Sequence, residues 1–423
     1  CYIIALLFIP ITWWIATKKT PKELFAMTHD LWHQTKHKTP SSIWVALSII
    51  LLCLFLIGSI LSESTTLTAI RSPWNVISPS IFIAFFILFL TLFTLLFRGK
   101  EKSLTITLAS VAFFFCIGLT LFVYPVGYGF DSFIHQATEE HIAQFGTITP
   151  KPLYYTGQYV TVLFTHHVFS LPVDLIDRFL VPLLAALLLP LAWFGASAHL
   201  FKKSRIASAS LIGLFLIPLG SWIVTTPQGF ANLWILLTIL MSIPYLLSRE
   251  RPGILSLMIP ALATVLIHPI AGLPLVLYVA LLASHPFQAN ARFLPLFRTV
   301  FWAIAALACV VLPLSFAANS LLSGQPLNLD FSQLSFASFF STVPFGFFFE
   351  NHFNPLLDGI YLYGGNALLL ITTIALIGWL RYRKHLSGRL YILPVMAFAL
   401  FANFVFLSTI VDFSFLIDYE RLN

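Results

Sequence analysis

Charged residues are scarce in this chain. Of its 423 residues, 9% are charged and 59% are hydrophobic, and the mean hydropathy is +0.92. Soluble domains carry about a quarter charged residues, so this composition excludes a soluble fold. Apolar runs of about 20 residues, the length of a membrane-crossing helix, recur along the whole chain, which a single signal peptide does not explain. The sequence therefore predicts an all-α, polytopic transmembrane helix bundle.

Cysteine is also scarce, with four residues and no CxxC pair. This excludes a disulfide framework and a cysteine zinc site. The formal net charge of +7 comes from basic residues in short clusters between apolar runs, which is the pattern of cytoplasmic loops. We therefore attribute the positive charge to membrane topology and expect no nucleic-acid partner.

The apolar runs predict about twelve spans. They are residues 1–17, 42–61, 79–97, 104–124, 179–200, 206–223, 229–248, 254–267, 270–284, 300–318, 365–380 and 390–410. The two short spans 254–267 and 270–284 meet at His268-Pro269 and are either tilted helices or a re-entrant hairpin.

The charges of the connecting segments predict the orientation. With these spans, 19 of the 23 basic residues fall on one side, and 12 of the 16 acidic residues fall on the other. The positive-inside rule makes the basic side cytoplasmic. We therefore expect a protein of the cytoplasmic membrane whose acidic residues, and any site that they form, face outside.

Two outer segments, 125–178 and 319–364, are longer than a connection requires. Within the second, the phenylalanine-rich stretch 331–353 suits the membrane interface, either as a lid over a lipid substrate or as a packing segment. The chain is divided into N-terminal helices with a basic loop, 1–103, and a catalytic module, 104–423.

The first outer segment contains the densest polar stretch of the chain. A helix from Ser132 to Phe145 fits its signals, because the stretch lacks internal Gly and Pro and Gly146 follows it. At 100° per residue, Asp131, His135 and Glu139 share an arc of about 80°, whereas Glu140 lies on the opposite side from Asp131.

A separate apolar arc of this helix comprises Phe130, Ile134, Ala137, His141 and Phe145. Two interpretations of Asp131 remain open. It is either the helix N-cap, or a carboxylate that deprotonates a nucleophile while His135 and Glu139 tune it or hold a cation.

The order of elements from about 104 to 284 resembles the GT-C superfamily of membrane glycosyltransferases, which includes oligosaccharyltransferase catalytic subunits, protein O-mannosyltransferases and lipid A aminoarabinose transferases. The order begins with a span, which is followed by an acidic residue at the start of an outer helix. After this helix come a glycine-Ile-x-Pro motif (Gly146, Ile148, Pro150) and an aromatic-Tyr-x-Gly motif (Tyr154, Tyr155, Thr156, Gly157). The next helix has Arg178 near its start.

The resemblance implies transfer of a sugar from a polyprenyl-phosphate donor to an acceptor on the non-cytoplasmic face, within membrane lipid. It matches the family's essential acid to Asp131, with His135 and Glu139 as further catalytic candidates. Some members need a divalent cation such as Mg or Mn. We predict that the substrate-binding residues are Glu140, Lys151, Tyr154, Tyr155, Gln158, Arg178, His268 and Arg421.

Two features depart from the family pattern. Three spans precede the one that leads into the acidic segment, whereas the family has a single span before this segment, and the outer loop that begins at Ser221 contains no acid. The mechanism is therefore metal-independent, or its second acid is Asp330, Glu350 or Asp358. The alternative function is a multi-helix secondary transporter or lipid-carrier translocase, although spans 179–410 contain almost no ionisable residue, which coupled transport generally needs near the midplane.

Overall fold

A computed structural model provides the fold. It describes residues 41–68, 70, 72–98, 102–125, 132–148, 155–201, 203–217, 219, 223–247, 253–284, 291–323, 377, 380–381 and 388–410. Of the predicted features, span 1–17 and the phenylalanine-rich stretch 331–353 lie outside these residues, as does span 365–380 apart from residues 377 and 380.

The described residues form α-helices joined by turns and short 3-10 helices, and no strand occurs among them. In chain order the α-helices are α1 (Ser41–Glu63), α2 (Ser80–Arg98), α3 (Lys102–Val123), α4 (Ser132–Phe145), α5 (Thr156–Phe169), α6 (Val173–Leu200), α7 (Ser204–Ser210), α8 (Ile212–Leu216), α9 (Pro227–Leu246), α10 (Ile254–Ile267), α11 (Pro269–Ala283), α12 (Leu294–Ser323) and α13 (Ile392–Ile410). The predicted all-α class is confirmed.

Six of these helices are long and apolar enough to cross a membrane by length and composition: α1, α2, α3, α6, α9 and α12. Four further apolar stretches are shorter than these six helices. They lie in α10, in α11, in α13 and in the pair α7–α8. The chain is a helical integral membrane protein. The count of twelve spans stays a prediction.

Two predicted spans have different bounds in the structure. The span 206–223 is wrong as one continuous helix, because helix α8 ends at Leu216 and Ile217 has extended backbone, the conformation favoured before a proline such as Pro218. The span 179–200 begins six residues earlier, at Val173, after Pro172. The earlier start places Asp177 and Arg178 inside helix α6.

Contact analysis divides the chain into two compact units, Cys1–Gly272 and Leu273–Asn423. In the first unit, α1, α2 and α3 share a core of fully buried aliphatic side chains that includes Ile50, Leu88 and Leu92. Residues on both sides of the predicted boundary at 103 and 104 contribute to this core. A second core joins α3, α6 and α9.

A small apolar cluster holds helices α4 and α5 on the beginning of α6. Val162 and Leu163 of α5 pack against Val173 and Ile176 of α6, and Ile142 of α4 lies against the same cluster. These contacts place α4, α5 and α6 side by side, which positions the polar residues described below.

The chain bends sharply between α10 and α11. These helices have 14 and 15 residues, and His268 lies between them with extended backbone. Helix α5 approaches this bend closely at Gly157, where a Cβ atom would lie 2.9 Å from the backbone nitrogen of Ile267. Because only glycine fits such an approach, the beginning of α5 is held next to His268.

The second unit contains α12 and α13. Asn403 of α13 is buried, and its side-chain amide donates to the carbonyl oxygens of Ala308 and Ala399 and accepts from the amide N–H of Leu312. The pairing of a buried amide with backbone groups of the facing helix fixes the register of the two helices.

Candidate functional site

Helix α4 has the predicted bounds, Ser132–Phe145. It ends where Gly146 adopts a positive φ of 71°, and the amide N–H of Gly146 donates to the carbonyl of Ile142 at 2.8 Å. Glycine adopts this left-handed conformation without steric cost and commonly ends helices. The local sequence signals therefore determine this element correctly.

Helix α4 buries polar side chains against the protein and exposes several large apolar ones. The buried side contains Ser132, His135 and Glu139. The exposed side carries Phe133, with 56% exposure, and Phe145, with 65%, together with the polar residues Glu140, His141 and Gln144. The predicted common face of His135 and Glu139 is confirmed, and it is turned toward the protein.

Three polar side chains from three helices meet beneath this face. Gln158 of α5 donates its side-chain amide to Oε1 of Glu139 in α4 and to Oδ1 of Asp177 in α6, at 3.3 Å each. Glu139 and Gln158 have 0% exposure and Asp177 has 4%. The Glu139 and Asp177 carboxyl groups also lie within hydrogen-bonding reach of each other. We call these three residues the acid–amide cluster.

The surroundings of this cluster favour an uncharged Glu139. Burial is the largest effect and the negative charge of Asp177 the next, and together they hold the pKa of the Glu139 carboxyl well above its ordinary value of 4.5. A carboxyl group with a raised pKa keeps its proton at neutral pH. Glu139 can therefore act as a hydrogen-bond donor there.

A second group of ring side chains adjoins the acid–amide cluster. Nδ1 of His135 lies 2.9 Å from the hydroxyl of Tyr159, and the His135 ring meets the Tyr155 ring edge to face at 5.3 Å. Tyr155 also stacks on His268 at 5.4 Å. Burial is the largest effect that raises the pKa of Tyr159, so its hydroxyl stays protonated and fixes the orientation of His135.

Arg178 follows Asp177 in α6 but does not extend toward the acid–amide cluster. Its Nη1 donates to the carbonyl oxygen of Pro125 at 3.1 Å, and its guanidinium lies 4.8 Å from the centre of the Phe179 ring. Adjacent residues on a helix project in different directions. Arg178 therefore places its positive charge near the end of α3 and not beside Asp177.

The structure brings together five of the predicted site residues: His135, Glu139, Tyr155, Gln158 and His268. It places Glu140 apart from them, because Glu140 is exposed and accepts a hydrogen bond from Gln136 at 3.1 Å. Asp131, Lys151, Tyr154 and Arg421 lie outside the described residues, so their predicted roles stay predictions.

Sequence reasoning missed two members of the site, Asp177 and Tyr159. The signal for Asp177 was its position inside the apolar stretch that continues into a span, where an ionisable side chain generally has a functional or paired role. It was overlooked because the neighbouring Arg178 offered a simpler partner. No signal in the sequence pairs Tyr159 with His135.

The second acid of the site was expected at Asp330, Glu350 or Asp358, and all three lie outside the described residues. Among the described residues, Asp177 provides a second carboxyl group next to Glu139. In this part of the chain, no group of three or more His, Cys, Asp and Glu side chains is arranged to hold a metal ion.

The fold and site define a helical integral membrane protein with a buried polar centre under the short helix α4. Comparisons with protein-family models, curated proteins and solved structures find no match for the chain. The likeness to the GT-C superfamily therefore remains a prediction from the residues.

Proposed function

We propose that the chain is a membrane glycosyltransferase that moves a sugar from a polyprenyl-phosphate donor to an acceptor on the non-cytoplasmic face. The observation that carries this proposal is the inward polar face of α4. Helix α4 buries His135 and Glu139 against the protein and exposes Phe133 and Phe145. Such a helix suits the membrane interface, where a lipid-linked donor and a water-soluble acceptor meet.

The proposed chemistry needs one base and one cation. Asp131 takes the proton of the acceptor hydroxyl as that oxygen attacks the anomeric carbon of the sugar. The bond from this carbon to the phosphate oxygen breaks, and the polyprenyl phosphate leaves as an anion that needs no proton. Positioned charges are the main means of stabilising such a leaving group.

Arg178 is the described residue that best suits the leaving phosphate. It lies beside Pro125, at the end of the described stretch that precedes residue 131. Its buried Nε has no hydrogen-bond partner among the described residues, and a guanidinium binds phosphate oxygens through several N–H groups. Lys151 and Arg421 are the other cations proposed for this role.

A second candidate is a proton-coupled transporter or lipid-carrier translocase. It is favoured by the buried acid–amide cluster, because buried carboxyl groups that gain and lose protons are typical of coupled transport. The cluster lies at the beginning of α6, beside the outer helix α4, and not midway along a long span. This position suits an enzyme site better.

The test uses the protein in proteoliposomes with a polyprenyl-phosphate hexose as donor. We expect release of polyprenyl phosphate in the presence of membrane extract that supplies the acceptor. Asp131→Asn should abolish this release, since an amide cannot take the acceptor proton. The control is Asp174→Asn, the same change at an exposed acid of α6, which should retain it.

Two results would contradict the proposed function. If Asp131→Asn keeps normal turnover and loses only about 1 kcal/mol of stability, Asp131 is a helix cap. If a pH-sensitive dye inside the vesicles reports proton entry that depends on the donor lipid while no product forms, the chain is a transporter.

A further inference from the structure

The acid–amide cluster has fewer hydrogen-bond donors than its acceptors require. The Gln158 amide has two N–H groups, and both are used, one on each carboxyl group. Oε2 of Glu139 and Oε1 of Gln158 are buried and accept no hydrogen bond from the described residues. Buried polar atoms are nearly always paired, so these two orphan oxygens indicate that the cluster holds another species.

The charge of the cluster indicates the same. Two ionised carboxylates without a cation would be costly in a site that water does not reach. The neighbouring cation, Arg178, extends to Pro125 instead. Titratable or charged groups facing the cluster are His135 on α4 and Tyr159 on α5; Glu140 and Asp174 are exposed and point away.

We propose that Glu139 and Asp177 bind one proton between them, and that this proton holds α4 against α5 and α6. The proton joins Oε2 of Glu139, one of the two orphan oxygens, to the Asp177 carboxyl group by a hydrogen bond, and it removes the repulsion between two negative charges. A metal ion fits less well, because Gln158 presents its N–H groups, and not its oxygen, to both carboxyl groups. When the proton leaves, the two carboxylates repel each other and α4 separates from the bundle.

The sign of the pH dependence follows from where the proton is held. The folded protein retains the proton above the ordinary pKa of 4.5 for a glutamic acid, whereas the unfolded chain releases it. The stabilisation is therefore complete below about pH 4.5 and is lost as the pH rises toward the raised pKa. For one proton, the unfolding equilibrium constant rises by up to about tenfold per pH unit in this window.

The experiment measures unfolding of the full chain by SDS titration in mixed micelles at a series of pH values. We expect the wild type to lose stability as the pH rises. Glu139→Gln should remove most of this slope and be at least as stable as the wild type at alkaline pH, because its amide supplies the missing donor. The control Glu140→Gln, one residue away and exposed, should keep the wild-type slope.

A second measurement needs no unfolding and no activity. Infrared spectra of the wild type at neutral pH should contain the carbonyl band of a protonated carboxylic acid. The band should be lost in Glu139→Gln and retained in the control Asp174→Asn. Asp177→Asn should shift the band and not remove it, because burial keeps Glu139 protonated while its hydrogen-bond partner changes.

Three results would overturn the proton site. The first is an unchanged pH slope in Glu139→Gln, and the second is a wild-type spectrum without the carboxylic acid band. The third is stabilisation of the wild type, but not of Glu139→Gln, by added Mg²⁺, Mn²⁺ or Ca²⁺, which would identify the bound species as a metal ion. None of these readouts depends on sugar transfer, so this inference and the proposed function fail separately.

Discussion

The core of α1, α2 and α3 and the corner where α4, α5 and α6 meet are built from opposite kinds of residue. In the core, the fully buried side chains include Ile50, Leu88 and Leu92. In the corner, Glu139 and Gln158 are just as completely buried. The core is therefore stabilised by packing, whereas the corner depends on the pairing of each polar group.

Both regions also expose large apolar side chains. Leu90 of α2 is 59% exposed and Phe133 of α4 is 56% exposed. In a soluble protein an apolar helix face indicates the side that packs against the core. In a membrane protein it does not, because lipid tails solvate apolar side chains. In this chain the buried polar residues, rather than the apolar faces, indicate where function is located.

Among the substitutions that test the difference between the apolar core and the polar corner, we expect Gln158→Leu to lower the stability most. The change removes the amide that donates to both buried carboxyl groups, and each unpaired group costs about 1–3 kcal/mol. We expect a loss of about 2–6 kcal/mol in the free energy of unfolding, measured by SDS titration near neutral pH.

The matched control is Gln136→Leu in α4. Gln136 also donates to a glutamate, Glu140, but at an exposed position, so we expect a change within about 0.5 kcal/mol. Equal losses in the two variants would contradict the view that pairing of buried polar groups stabilises the corner.

A somewhat smaller effect is expected in the apolar core. Leu88→Ala removes a fully buried side chain and should cost about 2–5 kcal/mol through lost packing and the cavity left behind. The same titration at several pH values should give a loss that does not change with pH. The control Leu90→Ala, on the lipid-facing side of α2, should change stability little. A loss at Leu88 that varies with pH would remove the distinction between the two regions.

The sequence predicted the elements well wherever local rules decide them. The bounds of α4 follow from Gly146 and from the absence of Gly and Pro inside it. The greater burial of Glu139 than of Glu140 follows from the helical period, and the break at His268 follows from Pro269. The prediction of one helix over 206–223 was wrong because it relied on apolar composition and did not consider that Pro218 disfavours helical backbone in the residue before it.

The sequence could not predict the partners within the site. Glu139, Gln158 and Asp177 lie 19 residues apart in each step, and their meeting depends on how α4 and α5 pack on α6. The same holds for His135 and Tyr159, which are 24 residues apart. Helical periodicity places residues on a face, whereas the choice of the facing helix is made by tertiary packing.

The central claim, that α4 turns His135 and Glu139 to the protein and Phe133 and Ile134 to lipid, is tested most directly by spin labels placed singly along α4 in liposomes. We predict high accessibility to oxygen, which concentrates in lipid, at positions 133, 134 and 137, and low accessibility to both oxygen and a water-soluble nickel complex at 132, 135 and 139. The reverse pattern, with positions 135 and 139 open to either reagent and 133 and 134 protected, would contradict the account.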